Sequence, residues 1–474
     1  MRMKRLPTQV PGLDEILHGG LFGGGVYIFE GPPGVGKTTL ANQIAYTLAQ
    51  GDVCTLYVTM LAESHARMLQ HMEGQDFFQR SQVNARVFYI SGYREFETDG
   101  LKGVVGLLRA ELARHRASLL VIDGLVVNRE AMSADESVRQ FVHELQSLVS
   151  VMSCTCLVLT SGHGNALSAE QTMVDGIFAF EDHGFHWRAE RRLQVRKFRG
   201  SMVIRGSHTF CISDKGLRFF PRLESLPIDP KKDNSPQLAV QHVSSGMPGL
   251  DGVLRERGLL AGSAGIVVGE SGSGKTTVAL AFASSATVEE PALFMTCTET
   301  ADDLQRAGSN LGLAIAEAVD SGALQIERLG LEDESMDEMG HKVLRLVDEL
   351  GARRLVIDGL AGLADTLAFP ERGYRFLGRL LAELRERGVT SLFTVDPAAL
   401  AVAAGTALAD GVVGLFDNAF DFSSEPRSLA ASRETAAEGV GRRWLGVTKV
   451  RGGHASQQSV DVQLAVSSRR PSGS

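Results

Sequence analysis

Two stretches of this chain hold the residue types that phosphate chemistry requires: Gly31-Pro-Pro-Gly34-Val-Gly36-Lys37-Thr38 and Gly269-Glu-Ser-Gly272-Ser-Gly274-Lys275-Thr276. Both satisfy G-x-x-x-x-G-K-[ST] in full. Glycines at these places let the backbone turn tightly, so that several N–H groups face one phosphate. A helix that follows adds the positive end of its dipole. The lysine reaches the outer phosphates, and the hydroxyl after it ligates Mg²⁺. The pattern assigns Gly31, Gly34, Gly36, Lys37, Thr38 and Thr39 to one nucleoside triphosphate. It assigns Gly269, Gly272, Gly274, Lys275, Thr276 and Thr277 to another.

Each loop has a carboxylate to match. Leu119-Leu-Val-Ile-Asp123 and Leu355-Val-Ile-Asp358 read as apolar strands that end in Asp. An Asp at the carboxyl end of a parallel strand stands beside the phosphate loop and can hold the Mg²⁺ shell, so Asp123 and Asp358 join Thr38 and Thr276 as candidate metal residues. Asp123 follows Lys37 by 86 residues and Asp358 follows Lys275 by 83 (123 − 37 and 358 − 275). Near-equal spacing points to one fold used twice.

Elements must position these groups. Val26-Tyr-Ile-Phe29 and Ile266-Val-Val268 read as short buried strands, and Leu40–Leu48 and Val278–Phe282 as the helices after the loops. Val138, Phe141, Val142, Leu145, Leu148 and Val149 fall at helical spacing, as do Leu377, Leu380, Leu381 and Leu384. Each of these helices lies between two apolar runs, Cys156–Thr160 and Ser391–Thr394 supplying the second. Strand–helix–strand alternation predicts an α/β fold, a mainly parallel sheet flanked by helices, in each half. The repeat extends upstream, with Val10-Pro-Gly-Leu-Asp14 before one loop and Met247-Pro-Gly-Leu-Asp251 before the other. Leu226–Pro236 has the proline-rich, charged composition of a linker. The reading is an N-terminal domain over 1–225, a linker over 226–240, a C-terminal domain over 241–465 and a disordered tail over 466–474.

Composition bounds the function classes. The chain of 474 residues is long enough for two cores, and its 44% hydrophobic and 22% charged content is that of a globular protein. No apolar run approaches the length of a membrane span, and no signal-peptide core follows the basic start. Five scattered cysteines (Cys54, Cys154, Cys156, Cys211 and Cys297) fit reduced thiols, and the expected location is cytoplasmic. A net charge of −8 disfavours a nucleic-acid partner, and with it a DNA-acting motor. Lys342 and Arg345 read as a solvated helix face. His18 and His163 read as incidental loop residues.

With these motifs placed, the chain resembles the KaiC-type family of RecA-like ATPases over about residues 8–465. The decisive stretch is Lys197-Phe-Arg199-Gly200 followed by Gly206-Ser-His208-Thr-Phe210-Cys-Ile212, similar to the family's K-x-R-G and G-x-H-x-F-x-I. Lys449-Val-Arg451-Gly452 repeats the first part in the second half. The resemblance implies two tandem RecA-like domains binding ATP and Mg²⁺ and a homo-oligomer in the form of a hexameric ring. In that ring Lys197, Arg199, Lys449 and Arg451 would act across a subunit boundary on a neighbour's ATP. An arginine in that place stabilises charge on the transferred phosphoryl group.

The chain also departs from the family. Where the family has two adjacent glutamates after the second strand, this sequence has Ala62-Glu63 and Thr298-Glu299. Glu63 and Glu299 remain as candidate bases for an attacking water. The family's paired phosphoacceptor hydroxyls reduce to Thr406, followed by Ala407. The expected function is an ATP-hydrolysing signalling and assembly ATPase with weak Ser/Thr autokinase activity on Thr406. The competing reading is a nucleotide-dependent scaffold with negligible turnover.

Overall fold

The computed structural model describes residues 4–60, 65–124, 132–161, 173–185, 188–226, 241–254, 258–330, 334–364, 366–423, 443–451 and 459–462. The chain divides into two compact units, Met1–Leu226 and Pro227–Ser474. Glu63, His163 and most of the 226–240 and 466–474 expectations lie outside the described residues.

In the first unit, β1 (Arg5–Leu6) and β2 (Leu21–Phe22) form a small antiparallel ribbon. The main sheet contains β3 (Val26–Glu30), β4 (Thr55–Thr59), β5 (Val87–Ser91), β6 (Leu119–Asp123), β7 (Thr155–Thr160), β8 (Gly176–Phe185), β9 (Arg188–Phe198), β10 (Ser207–Ser213) and β11 (Gly216–Phe220). Its strand order is β11-β10-β9-β8-β3-β7-β6-β4-β5. The strands from β8 to β5 run parallel, and β9, β10 and β11 continue the sheet antiparallel.

The second unit repeats this plan. Beside a ribbon of β12 (His242–Val243) and β13 (Leu259–Leu260), its sheet contains β14 (Ala264–Val268), β15 (Ala292–Thr296), β16 (Leu324–Arg328), β17 (Arg354–Asp358), β18 (Thr390–Val395), β19 (Asn418–Ser423), β20 (Trp444–Lys449) and β21 (Ser459–Asp461). The order is β16-β15-β17-β18-β14-β19-β20-β21, parallel from β16 to β19. Antiparallel β20 and β21 complete it. Two mainly parallel sheets flanked by helices match the fold class read from the sequence.

Burial explains the layers. Strands covered on both faces have no polar side to show, which is why Leu119–Ile122 of β6 and Leu355–Ile357 of β17 are unbroken apolar runs. On one face of the first sheet, helix Lys37–Ala49 packs Leu40, Ile44 and Leu48 against Tyr27, Phe29 and Leu157. On the other, helices Tyr93–His115 and Met132–Met152 bring Val104, Leu108, Phe141 and Leu145 to Val26, Leu56 and Ile122. Each such side chain contributes about 1.5–3 kcal/mol on full burial. Cys154 and Cys156 belong to this second core, where burial pushes both thiols up, Cys154 to about 12. That suits packing rather than redox chemistry.

Candidate nucleotide sites

Both phosphate loops leave the carboxyl end of the strand at the middle of their sheet, β3 or β14, and run into a helix that begins at the loop lysine. The residue before each helix is a glycine held at positive φ, Gly36 at 110° and Gly274 at 111°. L side chains are strained there, which accounts for the glycine. Gly31 answers a different demand: a Cβ on it would lie 2.4 Å from the Phe180 carbonyl oxygen of β8.

The lysines arch back over their loops. Lys37 Nζ donates to the Gly31 and Pro32 carbonyls at 2.7 and 2.8 Å. Lys275 Nζ makes the equivalent bonds to Gly269 and Glu270, both at 2.8 Å. Burial lowers the affinity of both ammonium groups for their proton, and nearby carboxylates oppose that: Asp123 for Lys37, Asp396 and Asp358 for Lys275. In the second loop the Ser273 hydroxyl is buried and has no hydrogen-bond partner among the described residues. A buried hydroxyl, an ammonium group bonded to carbonyls of its own loop and a helix amino terminus make a donor set that fits a polyphosphate.

The predicted threonine–aspartate pairs form in both halves. Thr38 Oγ1 donates to Asp123 Oδ2 at 2.9 Å, and Thr276 Oγ1 to Asp358 Oδ2 at 2.8 Å. Sequence reasoning missed the partners that hold these carboxylates. Tyr57 donates its hydroxyl to the same Oδ2 of Asp123 at 2.7 Å, whereas Thr394 on β18 donates to Oδ1 of Asp358. A hydroxyl inside an apolar run beside the Asp strand is the signal that could have found both.

Glu299 follows β15 by three residues. Its amide donates to Thr296 Oγ1 at 3.1 Å, and Thr296 is the register partner of Asp358. The Glu299 carboxyl is held above the ordinary glutamate range, first by burial and then by the Asp358 and Asp303 charges. Thr39 and Thr277 lie in the first turns of the loop helices. Thr406 opens a short helix, Thr406–Val412, behind Gly405. Lys342 and Arg345 pair with Glu334 and Glu349 on the surface of helix Met336–Leu350.

The basic pairs lie elsewhere. Lys197 is the register partner of Ile177, and the Arg199 amide bonds the Asp175 carbonyl at 2.7 Å, level with Val26. Asp175 also accepts from the Val26 amide at 2.9 Å, and the Arg199 guanidinium donates to the Met173 carbonyl at 3.0 Å. In the second half Lys449 Nζ donates to the Gly414 and Phe416 carbonyls. Arg451 pairs with Asp417 at 3.1 Å, and Asp417 caps the Ala264 amide at 3.0 Å as Asp175 caps Val26. Arg199 and Arg451 thus stand at the amino end of the parallel strands. Five residues of extended strand, roughly 16 Å, separate that level from the unit's own loop. The two capping aspartates also went unread, although Asp175-Gly-Ile-Phe178 and Asp417-Asn-Ala-Phe420 are a visible repeat.

Residues 6–224 and 243–465 each match the model of the KaiC ATPase domain. The chain belongs to the KaiC family of ATPases. The circadian clock oscillator protein KaiC of Picosynechococcus sp. is 24% identical over 381 residues, which span 76% of this chain and 71% of that protein. The circadian clock protein KaiC2 of Synechocystis sp. is 23% identical over 404 residues, 82% of this chain and 69% of its own length. A UPF0273 protein of Thermotoga maritima is 28% identical over 240 residues, which cover 97% of it but 46% of this chain. Membership in the KaiC family makes this a tandem ATP-binding ATPase. Among the described residues no helix is long and apolar enough to cross a membrane.

Proposed function

We propose that this KaiC-family protein is a Mg²⁺-dependent assembly ATPase that hydrolyses ATP slowly at both loops and signals through the nucleotide state of a homo-oligomeric, hexameric ring. The observation that carries it is the repeated threonine–aspartate bond beside a phosphate loop, made within 0.1 Å of the same length in the two halves. A Mg²⁺ held by Thr38 with Asp123, or Thr276 with Asp358, would neutralise charge on the phosphates. The protein's own contribution is to cradle the phosphates with loop amides and Lys37 or Lys275. Glu299 orients and deprotonates water in the second half, and Glu63 has that role in the first. Lys197, Arg199, Lys449 and Arg451 act on a neighbour's ATP. The place of Arg199 and Arg451, far from their own loops along the strands, supports action between subunits. The five free thiols suit a reducing, cytoplasmic setting.

Autokinase activity on Thr406 belongs to the same reading, reduced by the loss of the second hydroxyl at Ala407. One observation favours the scaffold alternative: Ala62 and Thr298 stand where the family has its other glutamates, so each site keeps a single glutamate. Incubating the protein with γ-labelled ATP and Mg²⁺, then counting released phosphate and protein-bound label together, separates the readings. Release with label that Thr406→Ala removes supports the ATPase with autokinase activity. Release alone supports the ATPase without it, and neither signal selects the scaffold.

A further inference from the structure

The two aspartates that face the phosphate loops are fixed in different ways. At Asp123 both hydroxyls, Thr38 and Tyr57, converge on Oδ2, at 2.9 and 2.7 Å. At Asp358 the hydroxyls divide, Thr276 to Oδ2 and Thr394 to Oδ1. Tyr57 is fully buried and does not act alone. Asn42, also fully buried, donates from Nδ2 to the Thr38 carbonyl at 2.9 Å and lies 3.4 Å from the Tyr57 hydroxyl. Tyr89 donates to Asn42 Oδ1 at 2.8 Å, and its oxygen lies 3.1 Å from that of Tyr46. A continuous polar chain therefore runs from Tyr46 and Tyr89 through Asn42 and Tyr57 to the Asp123–Thr38 pair. It passes through the core between the loop helix and the sheet. Burial, with the Asp123 charge beside Tyr57, pushes these phenols up, so they remain hydroxyl donors.

Among the described residues the second unit has no such chain. By register and by distance from the loop lysine, its residues at these four places are Ser284, Ile326, Leu280 and Phe294. Three are apolar. A buried polar chain costs stability unless every member is satisfied. Its presence in one copy of a duplicated fold calls for a local task.

We propose that Tyr57, supported by Asn42 and Tyr89, is a positioning residue that sets the angle of the Asp123 carboxylate and so raises divalent-cation affinity at the first site only. This rests on the proposed role of Asp123 and Thr38 at the metal. The second site holds Asp358 by Thr394 instead, and the two sites of one chain respond to different Mg²⁺ concentrations.

The test uses the full chain in two backgrounds, Lys275→Ala and Lys37→Ala, each impairing one loop. Mn²⁺ uptake with a non-hydrolysable ATP analogue is followed by electron paramagnetic resonance. Analogue affinity in EDTA and the melting temperature are measured alongside. Tyr57→Phe in the Lys275→Ala chain is expected to raise half-saturating Mn²⁺ about tenfold or more, the effect of one hydrogen bond to a charged group. Analogue affinity in EDTA stays the same, and the Lys37→Ala chain shows no shift. Tyr89→Phe, which keeps the Tyr57–Asp123 bond, shifts Mn²⁺ in the same direction by less.

An unchanged Mn²⁺ midpoint in Tyr57→Phe overturns the inference. So does an equal shift in both backgrounds, or a loss of analogue affinity in EDTA that matches the metal effect. If neither parent background takes up Mn²⁺ with the analogue, the metal role of the aspartates is wrong, and the inference falls with it.

Discussion

Glu299 is the proposed base of the second site, and its acidity bears directly on that role. Its carboxyl is raised by burial and by the Asp358 and Asp303 charges, so its basic form appears only as pH rises through a value above the usual glutamate range. Phosphate release by the Lys37→Ala chain should therefore fail on acidification earlier than an ordinary glutamate base would allow, and a pH–rate profile measures this. Glu299→Gln should lower that release about 100-fold or more, with the acidic limb of the profile lost. The loops after β3 and β14, and the helices that begin at Lys37 and Lys275, were legible because glycine, lysine and threonine stand at the spacing of a phosphate loop. Tyr57 and Thr394 were not, because a hydroxyl within an apolar strand looks the same whether it caps a carboxylate or simply packs. Pairing across neighbouring strands decides between these, and that exists only in the folded chain.

At the scale of elements, the loop geometry depends on how closely β3 and β8 approach. A Cβ at Gly31 would lie 2.4 Å from a backbone oxygen of β8, an atom that cannot swing away. Gly31→Ala should abolish nucleotide binding at the first loop and lower the stability of the first unit by about 1–3 kcal/mol, read by analogue titration and thermal melting. Asp417 ties another junction, holding Arg451, Arg385 and the Ala264 amide at once. Asp417→Ala should destabilise the second unit by about 1.5–3 kcal/mol, and chemical denaturation followed at Trp444 would show it. Six of the parallel strands, β3, β6, β7, β14, β17 and β18, were predictable from short apolar runs, and β6 and β17 also from the Asp that ends each. The antiparallel strands β9 and β20, which carry Lys197 and Lys449 and lead to Arg199 and Arg451, were not drawn as elements. In β9 the sequence Arg188-Ala-Glu-Arg-Arg-Leu-Gln-Val-Arg-Lys-Phe198 mixes charge into both faces and blurs the period of two on which a strand reading depends.

For the whole molecule, the separation of Arg199 and Arg451 from their own loops has an experimental signature. A chain with Arg199→Ala and Arg451→Ala should bind nucleotide and release little phosphate. A chain with Lys37→Ala and Lys275→Ala has impaired loops but sound arginines. Mixing the two should restore part of the turnover that each lacks, and a coupled phosphate assay reads it. The same separation fixes how an assembly responds to dilution with inert copies. Consider a copy that carries all four substitutions, mixed at random with unsubstituted chains. If every site needs only its own chain, turnover falls in proportion to the surviving fraction. If every site draws its arginine from the next chain, both members of a neighbouring pair must be sound, and turnover falls as the square of that fraction. The curvature of a dilution series would then count how many chains build one site.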